Sequence, residues 1–211
     1  MFYDILDKKR IAILPLLKEF KEDFYLVGGT ALALQTGHRD SIDFDFFCQE
    51  DINTQKLFEK VKEVFKGQKV LKTQDERNTL TVLIDKTIEI SFFSYKYDLV
   101  GELVEEPNLK LASVLDIGCM KLSAITSRGI SKDYIDLYYI LQDIDLNYLL
   151  DKSAEKFPDL DRNLILKSLV YFNDIEVEPI KFKHNKDINF EKVKSFLRKK
   201  VLEVTRELSS S

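Results

Sequence analysis

Two aspartates, Asp43 and Asp45, are separated by a single residue among apolar neighbours, and a glycine pair, Gly28-Gly29, precedes them. In an extended strand alternate side chains share a face, so the two carboxylates project together, roughly 6–7 Å apart. A pair of acids so placed can hold a divalent cation, and Mg²⁺ favours a few carboxylates together with phosphate oxygens. The glycines let backbone approach a phosphate closely and tolerate positive φ. Thr30 is placed to cap the helix that follows, whose free N–H groups attract an anion. Arg39 and Ser41, just ahead of the aspartates, can contact phosphate oxygens. A third acid on an adjacent strand would complete the cation site. Glu89, in Thr-Ile-Glu-Ile-Ser-Phe-Phe, is the candidate, because a mid-strand carboxylate in apolar company is costly unless paired or metal-bound. Asp85 competes, but a turn already accounts for it. The chemistry that needs these groups is attack by a hydroxyl on the α-phosphorus of a nucleoside triphosphate, with Mg²⁺ neutralising the departing pyrophosphate.

The elements that must position these residues are readable in outline. Ile5, Ile11, Leu14, Leu17 and Phe20 predict an amphipathic helix over 3–21, kinked or broken at Pro15. A strand at 24–27, the glycine turn, a helix at 30–35 and the aspartate strand at 42–47 follow. Leu57, Val61, Val64 and Phe65 predict a helix over 53–66, ended by Gly67. Strands are expected at 69–73, 79–84 and 87–94, with Asp85-Lys86 as a tight hairpin turn. Helical stripes then take over, at 111–127, 131–142, 147–157, 160–173 and 189–207. The fold class is therefore α/β (α+β): a mixed sheet with flanking helices, then a C-terminal helical bundle. Glu105-Glu106-Pro107 interrupts the pattern, which divides the chain into a catalytic core at 1–106 and a helical domain at 107–211 that closes over the nucleotide.

Composition narrows the function classes. The chain has 211 residues with 45% hydrophobic content, enough for a sizeable core. Only 7 Gly and 4 Pro argue against disorder. A net charge of −4 excludes polyanion binding by bulk charge. Cys48 and Cys119 form neither a disulfide framework nor a zinc motif and read as reduced thiols. The charged segment Met1–Arg10 lacks a signal core and no run is long enough to span a bilayer, so a cytoplasmic protein is expected. Ser209–Ser211 read as a frayed end. No Gly-x-x-x-x-Gly-Lys-Ser/Thr or Gly-x-Gly-x-x-Gly occurs.

The order strand, Gly-Gly, helix, Arg-x-Ser, Asp-x-Asp carries a family likeness. Gly28-Gly29-Thr30-Ala31-Leu32 and Gly37-His38-Arg39-x-Ser41-x-Asp43-x-Asp45-Phe46-Phe47 resemble the signature of the AbiEii/AbiGii-type nucleotidyltransferase toxins, of the DNA polymerase β-like superfamily. The likeness continues through Lys121-x-x-Ala124-Ile125-x-x-Arg128-Gly129-x-x-Lys132-Asp133-Tyr134-x-Asp136-Leu137. It implies metal binding by Asp43 and Asp45, phosphate binding at the glycine–serine turn with Ser41, and a need for Lys121 and Asp133 in activity. Glu89 stands where superfamily members commonly carry Asp. The resemblance further implies an NTP substrate, an RNA acceptor such as a tRNA 3′ end, a cognate antitoxin, and a toxin–antitoxin or phage-defence role.

Other readings stay open. Lys121 and Arg128 lie two helical turns apart on one face and could present cations to a triphosphate. Lys132 is expected to form an ordinary salt bridge with Asp136. His38 is expected to be a loop residue rather than a metal ligand. The basic stretch from Lys181 to Lys200 could guide RNA, or be the solvated face of a helix whose buried stripe is Phe190, Val193, Phe196, Leu197 and Val201. Tyr134, Tyr138 and Tyr139 could stack on a base or pack between helices. A small cationic acceptor such as an aminoglycoside, or a degenerate relative that binds nucleotide or a partner without turnover, are the alternatives.

Overall fold

The computed structural model describes residues 1–210. The chain divides into two compact units, one comprising Met1–Asp98 with Glu102–Ser113, the other Leu99–Gly101 with the chain from Val114 onward. Composition alone puts the step nearer Pro107.

The first unit is built on a seven-stranded mixed sheet of order β3-β4-β5-β2-β1-β7-β6. Its elements are helix α1 (Lys8–Leu17), β1 (Tyr25–Val27), α2 (Gly28–Thr36), β2 (Phe44–Cys48), α3 (Thr54–Val64), β3 (Val70–Glu76), β4 (Thr79–Ile84), β5 (Ile88–Ser94), β6 (Val104–Glu105) and β7 (Lys110–Leu111). The single helix expected over 3–21 is three pieces, with 3₁₀ turns at Tyr3–Ile5 and Lys18–Phe20 on either side of α1. Asp7 starts α1 by accepting from the Arg10 N–H, and the helix continues past Pro15 to Leu17 before tightening. The Asp85-Lys86 turn has φ of 47° and 59°, the pair of positive values a two-residue hairpin turn requires. Asn53 caps α3 from its side chain, and Gly67 follows the helix at φ 94°. The pair β6–β7 was not foreseen, since two residues carry no periodicity; β7 joins the sheet by pairing parallel to β1.

The sheet has two unlike faces. Along β2, Phe44, Phe46 and Cys48 are buried while Asp45 and Phe47 are half-buried, the alternation a strand imposes. Phe92 anchors the buried side, with its ring 5.1 Å from Phe20, 5.0 Å from Phe24 and 5.5 Å from Phe46. Leu57 and Val61 of α3 are buried, and α3 packs on β3 and β4. The carboxylates occupy the other side.

The second unit is helical: α4 (Val114–Ser127), α5 (Ser131–Asp143), α6 (Leu146–Lys156), α7 (Arg162–Val170) and α8 (Phe190–Ser210). Helix α4 packs on α5, α6 and α7, and α8 packs on the same three. Helix α8 runs to Ser210, and Ser211, the last residue of the end expected to fray, lies outside the described residues. Between α7 and α8 the chain returns along the α4–α5 turn, where Glu176 and Gly129 exchange a 2.7 Å bond and Ser131 N–H donates to Glu176. Cys48 and Cys119 are free and buried, and burial pushes the Cys119 thiol up to about 12. No helix among the described residues is long and apolar enough to cross a membrane.

Candidate active site

Residues 28–45 of the first unit converge around the start of α2. Gly28 opens that helix at φ 68°, in the left-handed region that favours glycine. Val27, the N-cap position, supplies no side-chain cap, so the first-turn N–H groups of α2 are left to a ligand or solvent. Val27 pairs with Asp45 across the β1–β2 ladder. That register brings the Asp45 carboxylate so close that a Cβ built on Gly28 would lie 3.1 Å from its Oδ2. A Cβ on Gly29 would lie 2.5 Å from the Arg39 guanidinium and 3.3 Å from the Ser41 hydroxyl. A side chain at either glycine would have to displace a neighbouring side chain, the Asp45 carboxylate at Gly28 and the Arg39 guanidinium at Gly29. Arg39 is buried and donates to its neighbour's carbonyl, that of Asp40, at 3.0 Å.

Thr30 does not cap α2 as expected. It sits within the first turn, buried, and its hydroxyl donates to the Asp43 carbonyl and lies 2.8 Å from the Ser41 hydroxyl. The reason is that the helix begins two residues earlier than its apolar run, at the glycines, so Thr30 faces the loop that leads into β2. It ties helix to aspartate loop. His38 is buried with Nδ1 2.6 Å from the Thr36 hydroxyl, in the loop as expected.

The carboxylates are only partly as anticipated. Asp45 is in β2 and half-buried, but Asp43 precedes the strand and is exposed. Strand β5 runs parallel to β2 with Asp45 opposite Ser91. Glu89, two residues before Ser91, therefore shares the Asp45 face, and it is exposed. Among the described residues no three acids, histidines or cysteines gather closely enough to hold a metal ion.

Arg10 was not singled out in the sequence, where an arginine on an amphipathic helix carries no signal. It is buried, and its guanidinium donates to the Ile42 carbonyl and, at 2.9 Å, to the Thr87 carbonyl. Ile42 immediately precedes Asp43 and Thr87 immediately precedes β5. One side chain of α1 thus clamps together the entrances of the two acid-bearing strands.

Gly28→Ala tests the close approach. A left-handed alanine costs about 1–2 kcal/mol, and the new methyl crowds Asp45. Gly67→Ala, at φ 94° but with nothing within 4 Å of the new methyl, is the control. Both variants are expected to melt earlier, and only Gly28→Ala to lose nucleotidyl transfer. Equal activity in the two would show that the approach is irrelevant.

The second unit assembles its own cluster. Lys121 of α4 is buried, with its ammonium 2.7 Å from Asp133 and 2.6 Å from Asp136 of α5. Arg128 donates to Asp133 from Nε at 2.8 Å and from its terminal nitrogen at 3.2 Å. The shared face expected for Lys121 and Arg128 is real, and what it meets within the unit is a pair of acids. The Lys132–Asp136 bridge does not form: Lys132 pairs with Glu178 at 3.1 Å, because Asp136 points inward to Lys121 and is fully buried. Asp136 is thus the member of this cluster that spacing misassigned.

The aromatic and basic candidates of this unit pack as helix surfaces do. Tyr134 is buried, its hydroxyl donates to the Ser168 carbonyl at 3.1 Å, and burial followed by the Asp133 charge pushes it up to about 12. Tyr138 meets Phe196 at 4.8 Å, and the Tyr139 hydroxyl donates to the Lys186 carbonyl. On α8, Val193 and Leu197 are buried, whereas Phe190, Phe196 and Val201 are half-buried. Lys194 pairs with Glu191 at 2.7 Å and lies over the Phe172 and Phe190 rings, and Arg198 lies over Phe172.

Known proteins share sequence or fold with this chain. Residues 16–201 match the family described as nucleotidyl transferase AbiEii toxin, Type IV TA system. An uncharacterized protein of Aquifex aeolicus (strain VF5) is 38% identical over 187 residues, covering 86% of this chain and 87% of that protein. A candidate nucleotidyltransferase from H. pylori has a similar structure, with a TM-score of 0.64 at 18% identity over 97% of this chain and 98% of the other. MenT4, a nucleotidyltransferase toxin of Mycobacterium tuberculosis H37Rv, has a TM-score of 0.62 at 16% identity over 90% of this chain and 80% of its own. At such identities the two structures speak to the fold, and that fold is the mixed sheet with helical companion described above.

Proposed function

This chain belongs to the AbiEii nucleotidyl transferase toxin family, and from that premise we propose that it moves a nucleotidyl group from an NTP to an RNA hydroxyl, a tRNA 3′ end being the favoured acceptor. The observation that carries the reading is the Asp45 carboxylate set against Gly28 at the uncapped start of a helix. A carboxylate and a phosphate chain at the same helix start repel each other, and a divalent cation bound between them would offset that repulsion.

Asp45 and Glu89 share a face of the sheet and Asp43 precedes the same strand as Asp45, so the proposed Mg²⁺ donors are the Asp43 and Asp45 carboxylates, with Glu89 the third acid nearest in register. Mg²⁺ bound there would stabilise the charge that develops as the α-phosphorus changes partners. The chain's own groups do the rest. Gly28 and Gly29 admit the phosphate chain to the first-turn N–H groups of α2. Ser41 and Arg39, which converge on Gly29, hold phosphate oxygens by hydrogen bonds and charge. Thr30 keeps Ser41 and the Asp43 loop in place. The acceptor oxygen attacks the α-phosphorus, the bond to the β-phosphate breaks, and pyrophosphate departs. In the helical unit Lys121, Arg128 and Asp133 are proposed to be needed for activity, as the family motif suggests. The biological setting is that of a cytoplasmic toxin with a cognate antitoxin, in a toxin–antitoxin or phage-defence pair.

Incubation with each labelled NTP, Mg²⁺ and total RNA tests this. Label from one nucleotide is expected in RNA of tRNA length, and its transfer to cease in EDTA. Label recovered only in a small-molecule fraction would replace the RNA acceptor with a small hydroxyl compound.

A further inference from the structure

The carboxylate face of the sheet continues beyond the carboxylates as a chain of aromatic rings. Phe47 follows Asp45 by two residues on β2, and Phe93 follows Ser91 by two on β5, so the rings share the acids' face roughly 6–7 Å further along. The register sets Phe47 directly opposite Phe93, and their rings meet edge to face at 5.7 Å. Tyr95 lies past the end of β5 but stays in the ladder by donating its N–H to the Cys48 carbonyl at 2.7 Å. Its ring is 4.4 Å from Phe47 with planes 31° apart, and Tyr97 is 5.1 Å from Tyr95.

On the opposite face Phe44, Phe46 and Phe92 are at most 1% exposed, whereas Phe47, Phe93 and Tyr95 are half-buried and Tyr97 is 46% exposed. A connected set of part-exposed aromatics marks a surface that binds something flat and apolar-faced. Its position says what. Gly28 follows β1, which runs antiparallel to β2, so the glycine turn flanks the Asp45 end of β2 and the rings flank the Cys48 end. A phosphate chain at the turn leaves the rings on the far side of Asp45, one direction in which the rest of a bound nucleotide can extend.

We propose that Phe47, Phe93, Tyr95 and Tyr97 form a stacking platform for a nucleobase. The base is that of the incoming NTP, whose phosphate chain the glycine turn would hold; the end nucleotide of the acceptor is the outcome the titration separates from it. The proposal rests on the phosphate placement given under the proposed function, and the two are separable by choice of probe.

Tripolyphosphate, each NTP and a short single-stranded oligoribonucleotide are titrated, with Mg²⁺, into the native protein, Tyr97→Ala, Tyr97→Phe and the double variant Tyr95→Ala/Tyr97→Ala. Loss of a stacked ring is expected to weaken base-bearing ligands by about tenfold or more. Tripolyphosphate binding is expected to stay constant, and Tyr97→Phe to stay within about twofold of native because it keeps the ring. A loss confined to NTP supports the platform as the site of the incoming base, and a loss confined to the oligonucleotide overturns that assignment in favour of the acceptor. Unchanged affinities in the double variant overturn the platform. So does a parallel loss of tripolyphosphate, which would mean that the rings act through the fold, or a Phe variant as weak as Ala. Native protein that binds neither tripolyphosphate nor NTP sinks the functional reading, and the platform with it.

Discussion

Asp45→Asn is expected to reduce nucleotidyl transfer by on the order of 10³-fold or more while the protein stays folded. The substitution keeps shape and removes charge. Asp45 is half-buried beside the first turn of α2, where a negative charge gains about 0.3–1 kcal/mol from the helix dipole. Its loss therefore shifts the melting temperature by only a few degrees. The cation dependence separates a metal role from a structural one. With Mg²⁺ present the Asn variant is expected to bind NTP more weakly than native protein. In EDTA it is expected to bind at least as well, because the carboxylate no longer repels the phosphates. Asp43→Ala/Asp45→Ala should behave alike, Asp43 being exposed and cheap to replace. Transfer within tenfold of native in either variant would sink the carboxylate mechanism.

Asp116→Ala is expected to be the most destabilising single change in the helical unit. Asp116 and Lys156 are both fully buried, 3.0 Å apart, and the carboxylate also accepts from the Val100 and Gly101 N–H groups at 3.0 and 2.9 Å. Removing the acid leaves a buried ammonium without its counter-charge and strips two backbone donors of their acceptor. Such a loss costs about 3–5 kcal/mol, or on the order of 10 °C in melting temperature for a chain of this size. The second change Lys156→Met should restore part of that loss, since no unpaired charge then remains. A melting temperature for Asp116→Ala within about 2 °C of native would show that water reaches the pair. These residues lay outside every motif; an acid and a lysine forty positions apart carry no mark of their pairing.

Much of the fold was legible because it is local. The Asp85-Lys86 hairpin, the helix ended near Gly67 and the alternation along β2 each arise within a few residues, from turn conformation or from the two-residue period of a strand. The glycine turn and Asp45 were likewise found by spacing. What spacing handled poorly were partners. Lys132 was matched to Asp136 because they are four apart on a helix, yet Asp136 faces inward to Lys121 and Lys132 finds Glu178. Helical spacing says which residues are neighbours on one cylinder, and the neighbouring helix decides which of them is buried. Thr30 was matched to a helix start because threonine caps well, yet the helix begins at Gly28, whose positive φ favours glycine and beside which Asp45 lies close.

The order of residues by itself determined that Asp45 and Phe47 share a face, that Gly28 can take a positive φ, and that the first half of the chain alternates while the second half repeats with helical period. These follow from backbone geometry and need no distant contact. Only the tertiary structure decided that β5 lies parallel beside β2 with Ser91 opposite Asp45, which puts Glu89 on the acids' side and Phe93 beside Phe47. It also decided that Arg10 clamps the carbonyls of Ile42 and Thr87. Such pairings join segments dozens of residues apart. They are selected by the burial of Phe44, Phe46, Ile90 and Phe92 in one shared core, a free energy that belongs to the assembled sheet and to no stretch of it alone.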